Sequence, residues 1–306
     1  MPDSASVKNI FSKNQRFKEA LIITFIFFVL ELILISFHEM WRDEIATWSL
    51  CFNSHSLKEL LFITRYEGHP KLWFIIVYFV QLFTGNIFYM QLVHICIAAA
   101  TVFVFCFYSP FSLGKNILFC FGYFFVYEYA VLSRNYAIEI FLLFLAVSAY
   151  TKSNGKSIIL VSAILFFLLQ TSLYAVIIGM VFYCYMILSE FLLRITITKK
   201  MILSSFIILC GLIFSVLAMI PPPDGGMHYG WNLKFVPGFL VQVSASVFNS
   251  YFPLPRFKNN FWNSNFLDVF SNGIWLQFFL TLIILVIVTV IFYDNKKVLF
   301  LFYSGT

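Results

Sequence analysis

Between His38 and Leu50 the chain reads HEMWRDEIATWSL, and five of the first seven residues (His38, Glu39, Arg42, Asp43 and Glu44) are charged or titratable. Adjacent carboxylates at Asp43 and Glu44 could supply a general base or together help hold a divalent cation. The plainer alternative is that Asp43 caps the helix that follows and favours its dipole. Glu67-Gly68-His69-Pro70 sets a carboxylate beside an imidazole in a turn, with Pro70 suited to the entry of the next helix. Farther on, the turn SRNYAIE carries Arg134 and Tyr136, a pairing able to recognise a phosphate through several donors; an interfacial arginine that merely snorkels would look the same. Arg42 and Glu128 could support such a site, although Glu128 could equally pair with Arg134. Glu31, Glu128 and Glu139 fall at membrane depth, where an ionisable group is costly unless paired or solvated. His94, between Val93 and Ile95, reads as a packed or helix-bridging histidine, and Asp224 and His228 give only a weak signal of substrate contact.

The elements that must position these groups are set by composition. The chain of 306 residues is 61% hydrophobic, 21% aromatic and 11% charged, whereas an ordinary soluble domain has about a quarter of its residues charged. This is the composition of an all-α polytopic membrane protein. The net charge of +6 comes from short basic clusters between apolar runs, which orient a chain in a bilayer, so nucleic acid is not expected as a partner. Six cysteines (51, 96, 106, 120, 184 and 210) form no CxxC pair and read as buried, inert thiols. Lys8, Lys13, Arg16 and Lys18 resemble the head of a signal peptide, but the apolar run after them is long and ends in no small-residue cleavage site. It is read as an uncleaved first span.

Apolar runs that meet or approach the roughly 20 residues needed to cross a bilayer lie at 19–37, 87–108, 116–132, 136–150, 158–172, 173–193, 201–220 and 273–293. The basic clusters Lys8 to Lys18, Lys115, Lys152 with Lys156, Arg194 with Lys199 and Lys200, and Lys296 with Lys297 all belong inside. No complete crossing then fits between the outer loop 38–70 and Lys115. Residues 71–83, apolar for about 13 residues, are therefore read as a shallow re-entrant or interfacial helix. The alternative is a short ninth span, giving 8–9 transmembrane helices in all. In the outer loop, Ile45, Trp48, Ser49 and Phe52 recur at helical spacing. Ser56-Leu57-Lys58-Glu59 is a capping-box pattern, so two amphipathic surface helices are expected there. The resulting organisation is a cytoplasmic segment 1–18, a transmembrane module 19–220 containing loop 38–70, and an outer cap 221–272 with an interfacial helix. Residues 273–306 hold a last span and the start of a further helix that reads as cut short.

In order, a first span, Trp41-Arg42-Asp43-Glu44, two surface helices, Glu67-Gly68-His69-Pro70-Lys71-Leu72, several spans and Arg134-Asn135-Tyr136 resemble the GT-C class of integral-membrane glycosyltransferases. The likeness is to the bacterial relatives of protein mannosyltransferases and aminoarabinose transferases, and covers roughly residues 20–200. Lys71 stands where that class commonly has a second proline, and Glu128, Arg134 and Glu139 stand near where several of its members present an Asp. The resemblance implies an inverting transfer of sugar from a polyprenyl-phosphate-linked donor to a lipid, glycan or protein acceptor, at the outer face of a bacterial cytoplasmic membrane. It implies Asp43 as base, Glu44 and Glu67 as ligands or orienting groups, His69 near the donor phosphate, and Arg134 with Tyr136 on the phosphate. A divalent metal would draw on Asp43, Glu44, Glu67 and His69. Rival expectations are a transporter or flippase of lipid-linked saccharide and a non-catalytic assembly subunit.

Overall fold

The computed structural model describes residues 4–153, 157–194, 196–220, 222, 224, 282 and 283. Residues 1–227 and 228–306 are separate units, and every element named below belongs to the first. The expected outer cap and last span, His228 included, lie outside the described residues except for Pro222, Asp224 and the helical Leu282 and Ile283.

Among the described residues the chain is all helix and turn. Helix α1 (Ser4–Ile35) leads through a short turn into α2 (Arg42–Phe52) and α3 (Leu57–Ile63). A 3-10 turn, Thr64–Glu67, follows and ends at Gly68, whose φ of 64° is a left-handed conformation that glycine adopts without a Cβ clash. After α4 (Leu72–Phe83) come α5 (Phe88–Tyr108), α6 (Leu113–Cys120), a π-helix (Phe124–Val131), α7 (Tyr136–Lys152), α8 (Ile158–Leu169), α9 (Leu173–Arg194) and α10 (Lys199–Met219). Three of these, α5, α9 over Leu173–Leu192, and α10, are long and apolar enough to cross a membrane. A fourth crossing is reached if the π-helix and α7, bent by 117° at the turn between them, count as one.

Some expected elements change shape. The apolar run 116–132 is not one helix: α6 stops at Cys120, and the π-helix resumes at Phe124. Gly122 sits at the break, where a Cβ would stand 3.3 Å from the Phe119 carbonyl oxygen. Hydropathy records that the run is apolar but not the hydrogen-bond register of its last turns, here closed by the Leu132 amide on the Tyr127 carbonyl at 3.1 Å. Helix α4 has 12 residues, a length of about 18 Å against the ~30 Å of a bilayer core. It buries Trp73, Phe74, Val77 and Tyr78 in a cluster with Trp48, Cys51 and Leu60 of the preceding loop. Both helices expected in the 38–70 loop form. Ser56 Oγ accepts the Glu59 amide at 3.2 Å, and the Glu59 carboxylate accepts the His55 amide at 2.8 Å. The packed face of α2, however, is Glu44, Trp48 and Cys51, which leaves Ile45 and Phe52 exposed.

Side-chain contacts sort the loops into two ends of the bundle. At one end the Arg16 guanidinium donates to the Ser109 carbonyl at 3.1 Å and Lys152 Nζ lies 3.8 Å from the centre of the Tyr108 ring. Lys115, in the first turn of α6, and Lys199 and Lys200, opening α10, belong with them. At the other end the Leu72 amide meets the Gln170 carbonyl at 3.1 Å, Asn135 Nδ2 donates to the Thr171 carbonyl at 2.9 Å, and Ser172 Oγ donates to the Glu139 carboxylate at 2.7 Å. The polar candidates Asp43, Glu44 and Arg134 gather at this second end, away from the basic clusters.

Helices α8 and α10 are joined where small and polar residues let them approach. Ser162 Oγ and Ser204 Oγ are 2.6 Å apart, and Gln170 Nε2 donates to the Gly211 carbonyl and to Ser215 Oγ, each at 2.9 Å. A Cβ on Gly211 would stand 3.0 Å from Phe166 Cδ2 and 3.4 Å from Phe166 Cα. Gly211→Val is therefore expected to cost about 1–3 kcal/mol by overpacking, read as a lower thermal midpoint of the purified protein in micelles. An unchanged midpoint would mean that α8 and α10 part without loss.

Candidate functional site

The site is built on Glu44. In the first turn of α2 its side chain turns inward and is fully buried. One carboxylate oxygen accepts the Ser133 amide at 2.7 Å. The other meets the Trp41 amide at 2.8 Å and His38 Nε2 at 2.9 Å. Burial pushes the Glu44 carboxyl up, but these bonds and the His38 ring beside it outweigh burial and hold it below the ordinary carboxylate range. Glu44 thus ties the start of the 38–70 loop to the turn between the π-helix and α7.

That turn is fixed from two further sides. His94, fully buried in α5, places Nδ1 2.9 Å from the Ala130 carbonyl and Nε2 2.8 Å from the Arg134 carbonyl. Trp73 of α4 packs edge-on against the same ring, 5.4 Å between centroids. Asn135, bonded to the Thr171 carbonyl, ties the turn to the α8–α9 connection. The backbone on both sides of Arg134 is thereby held.

On this support sits an ion pair. Arg134 Nη1 and Asp43 Oδ2 are 3.0 Å apart, with the arginine side chain 22% and the aspartate side chain 47% exposed. The guanidinium lies 5.3 Å from the centre of the Tyr136 ring. Asp43 and Glu44 are neighbours, yet about 100° of helical rotation separates them: Glu44 is consumed by the fold and Asp43 is half exposed.

Compared with protein-family models, with curated proteins and with solved structures, the chain returns no match in any of the three.

The other expected site residues lie apart from this pair. Glu67 and His69 are exposed, and the His69 ring bonds the Glu67 carbonyl within its own turn at 2.5 Å. Among the described residues no hydrogen bond or ion pair joins either to Asp43 or Arg134. Lys71 donates to the Thr64 carbonyl and so braces the same turn. Burial pushes its amine down to about 8, against the opposing pull of Glu67. Glu128 accepts the Tyr123 hydroxyl at 2.9 Å rather than pairing with Arg134, and Arg42 is exposed. Asp224 meets Arg65 at 3.2 Å and the Tyr66 hydroxyl at 2.9 Å. Glu31 is fully buried with neither carboxylate oxygen partnered.

Among the described residues no three of His, Cys, Asp and Glu gather into a group that could hold a metal ion, and Asp43, Glu44, Glu67 and His69 do not come together as a ligand set. Residue type and spacing give no role to His38 or to the Asn135 side chain, and no sign of the Ser133 amide. His38 stands six residues before Glu44 and was legible as a titratable neighbour; a backbone amide leaves no mark in a sequence.

Proposed function

We propose that the chain is a membrane glycosyltransferase of GT-C type that moves a sugar from a polyprenyl-phosphate-linked donor to an acceptor nucleophile. The observation that carries the reading is the water-accessible pair Asp43–Arg134 on a rigid, buried support at one end of the helical bundle. In this reading that end faces outward and the end carrying Arg16, Lys115 and Lys152 faces the cytoplasm of a bacterial inner membrane. The eight-span arrangement, with α4 as an interfacial helix, belongs to the same reading. Asp43 accepts the proton of the acceptor as it attacks the anomeric carbon. The bond from that carbon to the phosphate oxygen breaks, and Arg134, braced on Tyr136, stabilises the departing polyprenyl phosphate. The isoprenoid tail stays in lipid against exposed apolar residues such as Ile45, Phe52 and Phe83. His69 and Glu67, in the exposed turn, are left to orient the donor.

Membranes holding the full chain, incubated with a panel of labelled polyprenyl-phosphate sugars, should release polyprenyl phosphate from one of them. No release by a well-folded chain across a broad panel would end the reading. The partnerless Glu31 favours a second one, a carrier of lipid-linked saccharide, because an ionisable group inside a bundle is a common mark of a transport path. Movement of an intact labelled donor across sealed vesicles, without release of the phosphate, would select it.

A further inference from the structure

The Asp43–Arg134 pair joins the two groups that sugar transfer needs to be separate. While Asp43 Oδ2 is engaged by the guanidinium at 3.0 Å, that oxygen is not free to accept a proton, and the guanidinium face it covers is not free to bind a phosphate. The surroundings determine which of the two can move. The turn around Arg134 is held by the Glu44 carboxylate on the Ser133 amide and the Asn135 amide group on the Thr171 carbonyl, with the His94 ring packed between the Ala130 and Arg134 carbonyls. The base of Asp43 is held equally, because its neighbour Glu44 is locked. Of the two side chains the aspartate is the more exposed, 47% against 22% for the arginine. Water screens such a half-exposed pair and makes it easy to open.

We propose that a phosphate monoester or diester displaces Asp43 from Arg134, so that binding of the donor headgroup is the event that releases the base. The exchange rests on the reading of Arg134 as the phosphate-binding residue of the transferase. It needs no movement of a helix. The phosphate takes the guanidinium with two parallel hydrogen bonds, and the freed carboxylate turns toward the place where an acceptor can approach. An enzyme built this way keeps one oxygen of its base engaged until a donor is present.

The exchange predicts an effect on binding alone. A pair closed about 70–90% of the time leaves Arg134 available for the remainder, and removing the competitor should tighten phosphate binding by about 3- to 10-fold. The full chain in lipid nanodiscs is titrated with a short-chain polyprenyl monophosphate and, separately, with inorganic phosphate. Asp43→Asn should bind the lipid probe 3- to 10-fold more tightly than wild type, with Arg134 reacting faster with phenylglyoxal before the probe is added. Glu39→Gln removes the same charge from an exposed position of the same loop, and should tighten binding far less. The same gain with inorganic phosphate would assign the competition to the phosphate itself; a gain confined to the lipid probe would assign it to a lipid-anchored headgroup, and both support the exchange. Equal or weaker binding by Asp43→Asn, or a gain no larger than that of Glu39→Gln, would overturn it. Asp43-dependent donor turnover without the gain would leave the transferase standing and remove the exchange. The gain without turnover of any sugar donor would do the reverse.

Discussion

Asp43→Asn is expected to reduce sugar transfer by a factor on the order of 10² to 10⁴, the contribution of a positioned general base, while the protein still inserts and accumulates. The amide is the same size as the carboxylate and can still approach Arg134, but it cannot take a proton from an acceptor. The fold should not notice. Asp43 is half exposed and contributes one surface ion pair, worth about 0–1 kcal/mol, whereas the loop is anchored through the buried Glu44. The initial rate of polyprenyl phosphate release should therefore collapse with the thermal midpoint unchanged to within a degree or two. Transfer at the wild-type rate would remove Asp43 as base. A rate and a midpoint that fall together would show that the substitution acts through folding.

That separation between Asp43 and Glu44 marks how far the sequence can be read. Polar residues placed on one side of an apolar chain by its basic clusters leave room for the 38–70 loop and the Arg134 turn to converge, and the Glu44–Ser133 bond joins the two segments. The two surface helices and the Ser56–Glu59 cap were legible from spacing and side-chain type. What spacing could not reveal is which carboxylate faces inward. The apolar residues Ile45, Trp48 and Phe52 suggest one face for α2, but the helix packs through the neighbouring face, Glu44, Trp48 and Cys51. Three donors make that burial tolerable for a carboxylate, and two of the three are backbone amides. Local pattern carries no record of them. The break at Gly122 was hidden for a related reason, since a run can be apolar throughout while its helix stops and resumes in another register. His94 is the converse case: as a polar group in an apolar helix it announced a bridge, although not the carbonyls it would reach.

Glu44→Ala is expected to be the most destabilising single change at the site, at about 3–5 kcal/mol, because it removes the shared acceptor of three donors, each costing about 1–3 kcal/mol when stranded. The Ser133 and Trp41 amides and the His38 ring would all lose their acceptor without gaining water. Glu44→Gln should cost less, about 1–3 kcal/mol, since its carbonyl oxygen can still accept while its amide nitrogen would face a donor. Unfolding of the purified protein in micelles, with the His38→Ala single and double variants, gives the share carried by the histidine as an interaction energy. The pH dependence follows from the direction in which Glu44 is shifted. Its carboxyl lies below the ordinary value of 4.5 in the folded protein, so the unfolded chain takes up the proton first as the pH falls. The stabilisation is complete above about pH 4.5 and is lost as the pH drops through the folded value beneath it. The wild-type midpoint should fall across that window more steeply than that of Glu44→Gln, which has no proton to gain at this position. Parallel curves for the two proteins would show that the Glu44 cluster is not what holds the loop to the Arg134 turn.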